Sequence, residues 1–197
     1  MSKKEIIWRE ILFQAIEQKN RQFTQKELAA KFGFSLSTVF NALKAPRQIG
    51  AIKVTGRNFQ VIDIEKFLYL WATGRNLKKD IIYQTRVDES VLNIEGLMPP
   101  SAIYGAYSAY RLKFKSAPAD YDKVYIYSAD IEEIKKRFPA VNAVKTKTPN
   151  LIVLKADEFL KNYGQTTTLA QTFVDLWNLS EWYAKDFLEA LKEKILV

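Results

Sequence analysis

Five side chains in a ten-residue stretch carry the chemistry needed to read a polar edge. Ser35, Ser37, Thr38, Asn41 and Lys44 supply hydroxyls, an amide and an ammonium, with no carboxylate among them. A generic solvated helix face mixes both charge signs, whereas a face that enters the DNA major groove needs short donors and acceptors to meet base edges and phosphates. The plainer alternative is a short helix pair in a small bundle. A second candidate is Asp120-Tyr121-Asp122. Paired carboxylates can hold Mg²⁺ for phosphoryl transfer. Lys123 beside them weakens that prospect, and a turn after Pro118 that uses Asp at its usual positions is the plainer explanation. The chain has no Cys and no His. Disulfides, cysteine nucleophiles, zinc fingers, serine–histidine triads and histidine acid–base chemistry are therefore excluded.

The elements that must position the first set are legible locally. Residues 24–45 read as two short helices around a tight turn. Thr24 and Glu27 form a capping box. Leu28, Ala29 and Phe32 give an apolar face, and Gly33 stops the helix in a conformation that glycine adopts without a Cβ clash. Ser35 caps the next helix, on which Leu36, Val39 and Leu43 are expected to point inward with Phe40 at the edge. Beyond Pro46, Ile52 and Val54 alternate with Lys53, and Phe59 and Val61 alternate with Gln60. A Gly-containing turn at 55–58 separates them, which predicts a β-hairpin.

The charge is unevenly placed. The chain of 197 residues carries a net +8. Residues 1–79 hold 15 Lys and Arg against 6 Asp and Glu, a net +9; residues 80–197 hold 15 against 16, a net −1. A basic segment gains free energy on DNA by releasing condensed counterions. A basic surface that merely aids solubility does not explain confinement to one part. Hydrophobic residues make up 48% and aromatic residues 13%, enough for a folded chain rather than a disordered one. The apolar runs fall short of a membrane span, and the N-terminus lacks signal-peptide architecture, so the expected compartment is the cytoplasm with no membrane partner.

Taken in order, the first helix is expected over 5–19, with Trp8 in its core stripe. A further helix, 64–73, follows Asp63 as its cap, and 75–80 is the expected boundary. The second part is expected to alternate: a strand at 81–87, a short helix at 88–97, and a helix at 102–112 capped by Ser101 after Pro99-Pro100. A strand at 123–127 precedes a helix capped by Asp130. A strand at 151–154, a short helix at 157–163 and helices at 167–177 and 181–194 close the chain. The expected class is α+β: an N-terminal helix-and-hairpin domain at 1–79 and a small mixed α/β domain at 80–197. Tyr104, Tyr107 and Tyr110 recur at spacing three, either lining an effector pocket or packed and partly exposed on a helix. The basic clusters Lys135-Lys136-Arg137 and Lys145-Thr146-Lys147 read as solvated faces.

Three helices followed by a basic-tipped hairpin resemble the winged helix-turn-helix transcriptional regulators over the first third of the chain. That resemblance implies a recognition helix at 35–44 and a wing at 53–57. Ser37, Thr38 and Asn41 would read bases, and Lys44, Arg47, Lys53 and Arg57 would meet phosphates or the minor groove. It implies double-stranded DNA as partner, a homodimer spanning two half-sites, no cofactor and no enzymatic activity. The segment 168–177 with its following amphipathic helix loosely resembles AbiEi-type antitoxins, which implies a repressor with a toxin protein as a further partner. The wing and its following helix also resemble archaeal regulators of unassigned function. Gly105-Ala106 upstream of Asp120 and Asp122 is similar to the turn-and-carboxylate order of nucleotidyltransferases, the competing enzymatic reading, in degenerate form.

Overall fold

The computed structural model describes residues 1–140 and 148–196, and these form an α+β fold. Helix α1 (Lys3–Ile16) begins earlier than expected because Ser2, not a later residue, closes a capping box with Glu5. Its apolar stripe, Ile7, Trp8, Ile11 and Leu12, is buried as the spacing predicts. So are Arg9 and Glu10, because α1 is covered on more than one side. Strand β1 (Gln22–Thr24) runs into α2 (Gln25–Phe32), whose Thr24–Glu27 capping box and left-handed Gly33 (φ 63°) are as expected.

Helix α3 (Leu36–Gln48) starts at the expected Ser35 cap, where the Ser35 hydroxyl accepts from the Thr38 N–H. It runs through Pro46 instead of ending before it. Proline lacks the N–H that would bond to the carbonyl four residues back. The freed Ala42 carbonyl instead accepts from Trp8 Nε1 at 2.7 Å. Trp8 thus ties α1 to α3 by a buried hydrogen bond as well as by packing.

Strands β2 (Ile52–Thr55) and β3 (Asn58–Val61) form the expected hairpin, with Gly56 and Arg57 as its two-residue turn. Gly56 takes φ 60° and Arg57 does not take positive φ, the pattern of a type II′ turn. Strand β1 adds to the far side, giving the order β1-β3-β2. Phe23 pairs with Phe59, their rings stacked 5.4 Å apart. The expected inward alternation is only half realised. Ile52 is buried, but Val54 is 41% exposed, since it lies toward the open tip of an outer strand. Leu36 departs similarly: expected inward, it is 56% exposed on the first turn of α3.

After α4 (Ile64–Gly74) and a 3₁₀ turn (Leu77–Asp80) comes a four-stranded sheet of order β4-β7-β6-β5. It comprises β4 (Ile81–Thr85), β5 (Ile103–Tyr104), β6 (Val124–Ser128) and β7 (Leu151–Lys155). The β6–β7 pair is parallel and the other two pairs are antiparallel. Val124, Ile126, Leu151 and Val153 face helices α5 (Val91–Gly96) and α7 (Ile131–Arg137). Tyr125, Tyr127, Ile152 and Leu154 belong to the larger core with α6 (Ala106–Phe114), α8 (Leu169–Trp177) and α9 (Ala184–Ile195). That larger core is one cluster reaching from Ile6 to Ile195. The helix expected from Ser101 is displaced. Ile103 and Tyr104 pair with β6, and Gly105 caps α6 instead. A Cβ on Gly105 would stand 3.0 Å from the Tyr127 ring, so any larger residue here must push that ring aside by a few tenths of an ångström.

The two ends of the chain meet through buried ions. Arg9 donates to both carboxylate oxygens of Asp157 at 2.7 Å. Arg75 donates to Glu5 (3.1 Å), Asp80 (2.8 Å), Asp175 (3.3 Å) and the Tyr127 hydroxyl (3.2 Å). Tyr127 in turn donates to Asp175 at 2.6 Å. Three carboxylates thus surround one guanidinium. Burial pushes the carboxyl of Asp175, the most enclosed of them, up to about 6, against the pull of Arg75 and Tyr127. A group bound to its proton more tightly in the fold than in the unfolded chain favours the fold below its unfolded value. That contribution disappears as pH rises through the folded value. The loss here spans about pH 4 to 6 and amounts to roughly 2–3 kcal/mol. An Asp175→Asn protein should therefore gain stability relative to wild type between those pH values, measured by urea unfolding at each. An unchanged difference would mean that Asp175 does not titrate in this window.

Candidate nucleic-acid interface

The surface made by α3 and the hairpin carries the residues expected to read DNA. Residues 33–62 contain Lys44, Arg47, Lys53 and Arg57 and no Asp or Glu. All four cations are exposed, and none forms an ion pair among the described residues. By contrast, nearby Lys31 bonds to Glu10, and Lys66 to Asp63. The continuous acid-free span was visible in the sequence and is a stronger signal than the helix face alone.

Along α3, Val39, Ala42, Leu43 and Pro46 are buried, leaving Ser37, Asn41 and Lys44 on the outward side. Asn41 is exposed, and its amide has no hydrogen-bond partner among the described residues. The hydroxyls are less free. Ser35 Oγ lies 2.9 Å from both Ser37 Oγ and Thr38 Oγ1 while capping the helix. Thr38 is half-buried at one flank. The structure therefore distinguishes within the expected set: Ser35 and Thr38 organise the helix start, while Ser37, Asn41 and Lys44 project from it.

The hairpin divides the remaining cations. Lys44 and Arg47 lie beside Val54 around one small depression between α3 and β2. Lys53 stands between Ile52 and Val54 in β2 and so points to the opposite sheet face, where Gln60 is its cross-strand partner. Arg57 occupies the turn. Sequence reasoning missed two members of this surface, Leu36 and Phe40. Phe40 is 48% exposed, with the Lys44 ammonium 5.3 Å from its ring centroid.

The other candidates assemble differently. Asp120 is exposed, whereas Asp122 accepts a hydrogen bond from the Tyr183 hydroxyl at 2.6 Å. Among the described residues, no three acidic side chains are grouped to hold a metal ion. Tyr107 and Tyr110 lie on α6 but are buried rather than partly exposed, and Tyr104 belongs to β5. Tyr107 donates to Glu181, which also accepts from Lys123 and Tyr125. Burial works against ionisation of Glu181, yet Lys123 and the bonded groups hold its carboxyl below the ordinary range. Lys135 and Arg137 pair with Glu132 and Glu133, as a solvated face would. Lys145-Thr146-Lys147 lies outside the described residues. Among the described residues no helix is long and apolar enough to cross a membrane. Comparison with protein-family models, with curated proteins and with solved structures gives no match.

Proposed function

We propose that the protein is a DNA-binding transcriptional regulator of winged helix-turn-helix type, acting as a repressor. In this reading residues 1–79 read duplex DNA and residues 80–197 serve dimerisation, partner or effector binding. Helix α3 enters the major groove and the β2–β3 hairpin is the wing. The observation that carries the reading is the acid-free surface on which Asn41 and Lys44 project beside Arg47 and the hairpin, with four cations lacking acidic partners. Phosphate neutralisation supplies affinity, and base edges supply preference.

The test is binding of the full chain to random-sequence duplex DNA across a salt series. A steep fall of log K with log salt supports the reading; no binding at low salt removes it. Asn41→Ala then separates base contact from phosphate contact. An amide paired with an adenine edge is worth about 1–3 kcal/mol of discrimination. The variant should lose preference for a selected site while keeping its affinity for random DNA. Equal loss on both would place Asn41 off the base edges.

A further inference from the structure

An exposed phenylalanine is out of place on a face that only binds phosphate. Burial of apolar surface is favourable, and three apolar side chains, Leu36, Phe40 and Val54, are each more than 40% exposed on this one surface. Phe40, Leu43, Ile52 and Val54 line a depression of ≈ 40 Å³ together with Gln25, Lys44 and Arg47. An open depression of this size admits a small apolar group. Its lining is almost wholly apolar. Its surroundings are cationic, which favours a polyanion over an acid-poor protein partner. The small apolar group that a duplex presents in its major groove is the thymine C5-methyl.

We infer that this depression is a thymine-methyl pocket, so that the protein selects sites with thymine at the position facing Phe40. The inference rests on the DNA-binding reading and adds which base is chosen and by which residues. Lys44, held across the Phe40 ring, reaches the neighbouring phosphate or base edge, while Phe40 and Val54 take the methyl out of water. Asn41, on the outward side of the same helix, reads a different base.

The experiment begins with selection from a random duplex pool by the full-length protein. Each selected thymine is then replaced singly by uracil, which removes only the methyl group. Burying one such group is worth about a three- to fourfold change in affinity. Wild type should lose about that factor at one thymine per half-site. Phe40→Ala and Val54→Ser should bind the thymine and uracil duplexes equally. Both positions are exposed, and circular dichroism checks that the variants fold. Binding with no thymine–uracil difference, or a difference that persists in Phe40→Ala, overturns the pocket while leaving the DNA reading in place. Absence of any DNA binding removes the parent reading and the pocket together. The oligomeric state of wild type and Phe40→Ala is measured in parallel. Loss of a dimer in the variant would show that a second copy of this chain covers the face, and that too overturns the inference.

Discussion

An Arg75→Ala protein is expected to melt on the order of 10 °C below wild type. The Arg75 side chain is 2% exposed, and its guanidinium bonds to Glu5 on α1, Asp80 after α4, Asp175 on α8 and Tyr127 on β6. Removing one partner of a buried ion pair costs about 3–5 kcal/mol, because the remaining charge stays buried without compensation. For a chain of this size each kcal/mol moves the midpoint by about 2–4 °C. Here three carboxylates would be left around an empty position, and Asp175 would keep only the Tyr127 hydroxyl. Arg75→Lys should recover part of the loss, since an ammonium keeps the charge but not the planar fork that serves several partners. Pairing Arg75→Met with Asp175→Leu should cost less than the two single changes added together, because the double variant buries neither charge. A midpoint within about 2 °C of wild type for Arg75→Ala would mean that the network contributes little to the native state.

The position of this network matters for the surface at the other side of α1. Glu5 and Arg9 engage Arg75 and Asp157, while Trp8, between them in sequence, bonds to the Ala42 carbonyl of α3. One helix therefore carries ion pairs to Arg75 and Asp157 and also holds the proposed reading helix through Trp8. Arg75 bridges Glu5 of α1 and Asp175 of α8. A DNA-binding assay of Arg75→Lys, a milder variant, would report whether α3 responds.

What was legible in the sequence follows the range of the interactions involved. The Thr24–Glu27 box, Gly33, the Ser35 cap and the Asp63 and Asp130 caps are contacts within three or four residues, and each is found where the residue types place it. The hairpin was legible because alternation and a glycine-bearing turn coincide. Strand β1 was not: three residues give no alternation, and Phe23 becomes a strand residue only by meeting Phe59. The Ile103–Tyr104 strand was masked by the local suggestion of Ser101 as a cap, and long-range bonds prevailed. Tyr104 donates its N–H to the Gln165 carbonyl and accepts from the Thr167 N–H. The buried pairing of Arg9 and Arg75 left no local signal, because their acidic partners lie up to 148 residues away. Helical spacing places Leu36 in the core and Phe40 at its edge, because spacing cannot tell an inward apolar residue from an exposed one. Their exposure needed the packing of α3 to be known.

Replacing Lys44, Arg47, Lys53 and Arg57 together by alanine is expected to flatten the slope of log K against log salt by about 3–4 units, the largest binding effect. Each phosphate neutralised contributes about 0.9 to that slope on B-form DNA. Because the four cations have no acidic partners among the described residues, their removal leaves no buried charge uncompensated, and the thermal midpoint should stay near that of wild type. The lost binding would then be a property of the surface rather than of folding. Two paired variants divide the effect. Lys44→Ala with Arg47→Ala tests α3, and Lys53→Ala with Arg57→Ala tests the hairpin; each pair should account for nearly two units. Lys53 points to the sheet face away from the α3 depression, so the hairpin pair is the more demanding arm. If only the helix pair changes the slope, α3 contacts DNA while the hairpin stays clear of the phosphates. If only the hairpin pair changes it, the duplex runs along the outer sheet face, and Phe40 cannot be reading a base. If the quadruple variant keeps the wild-type slope and affinity, any DNA binding resides elsewhere on the molecule, and the acid-free surface must be explained by a different anionic partner.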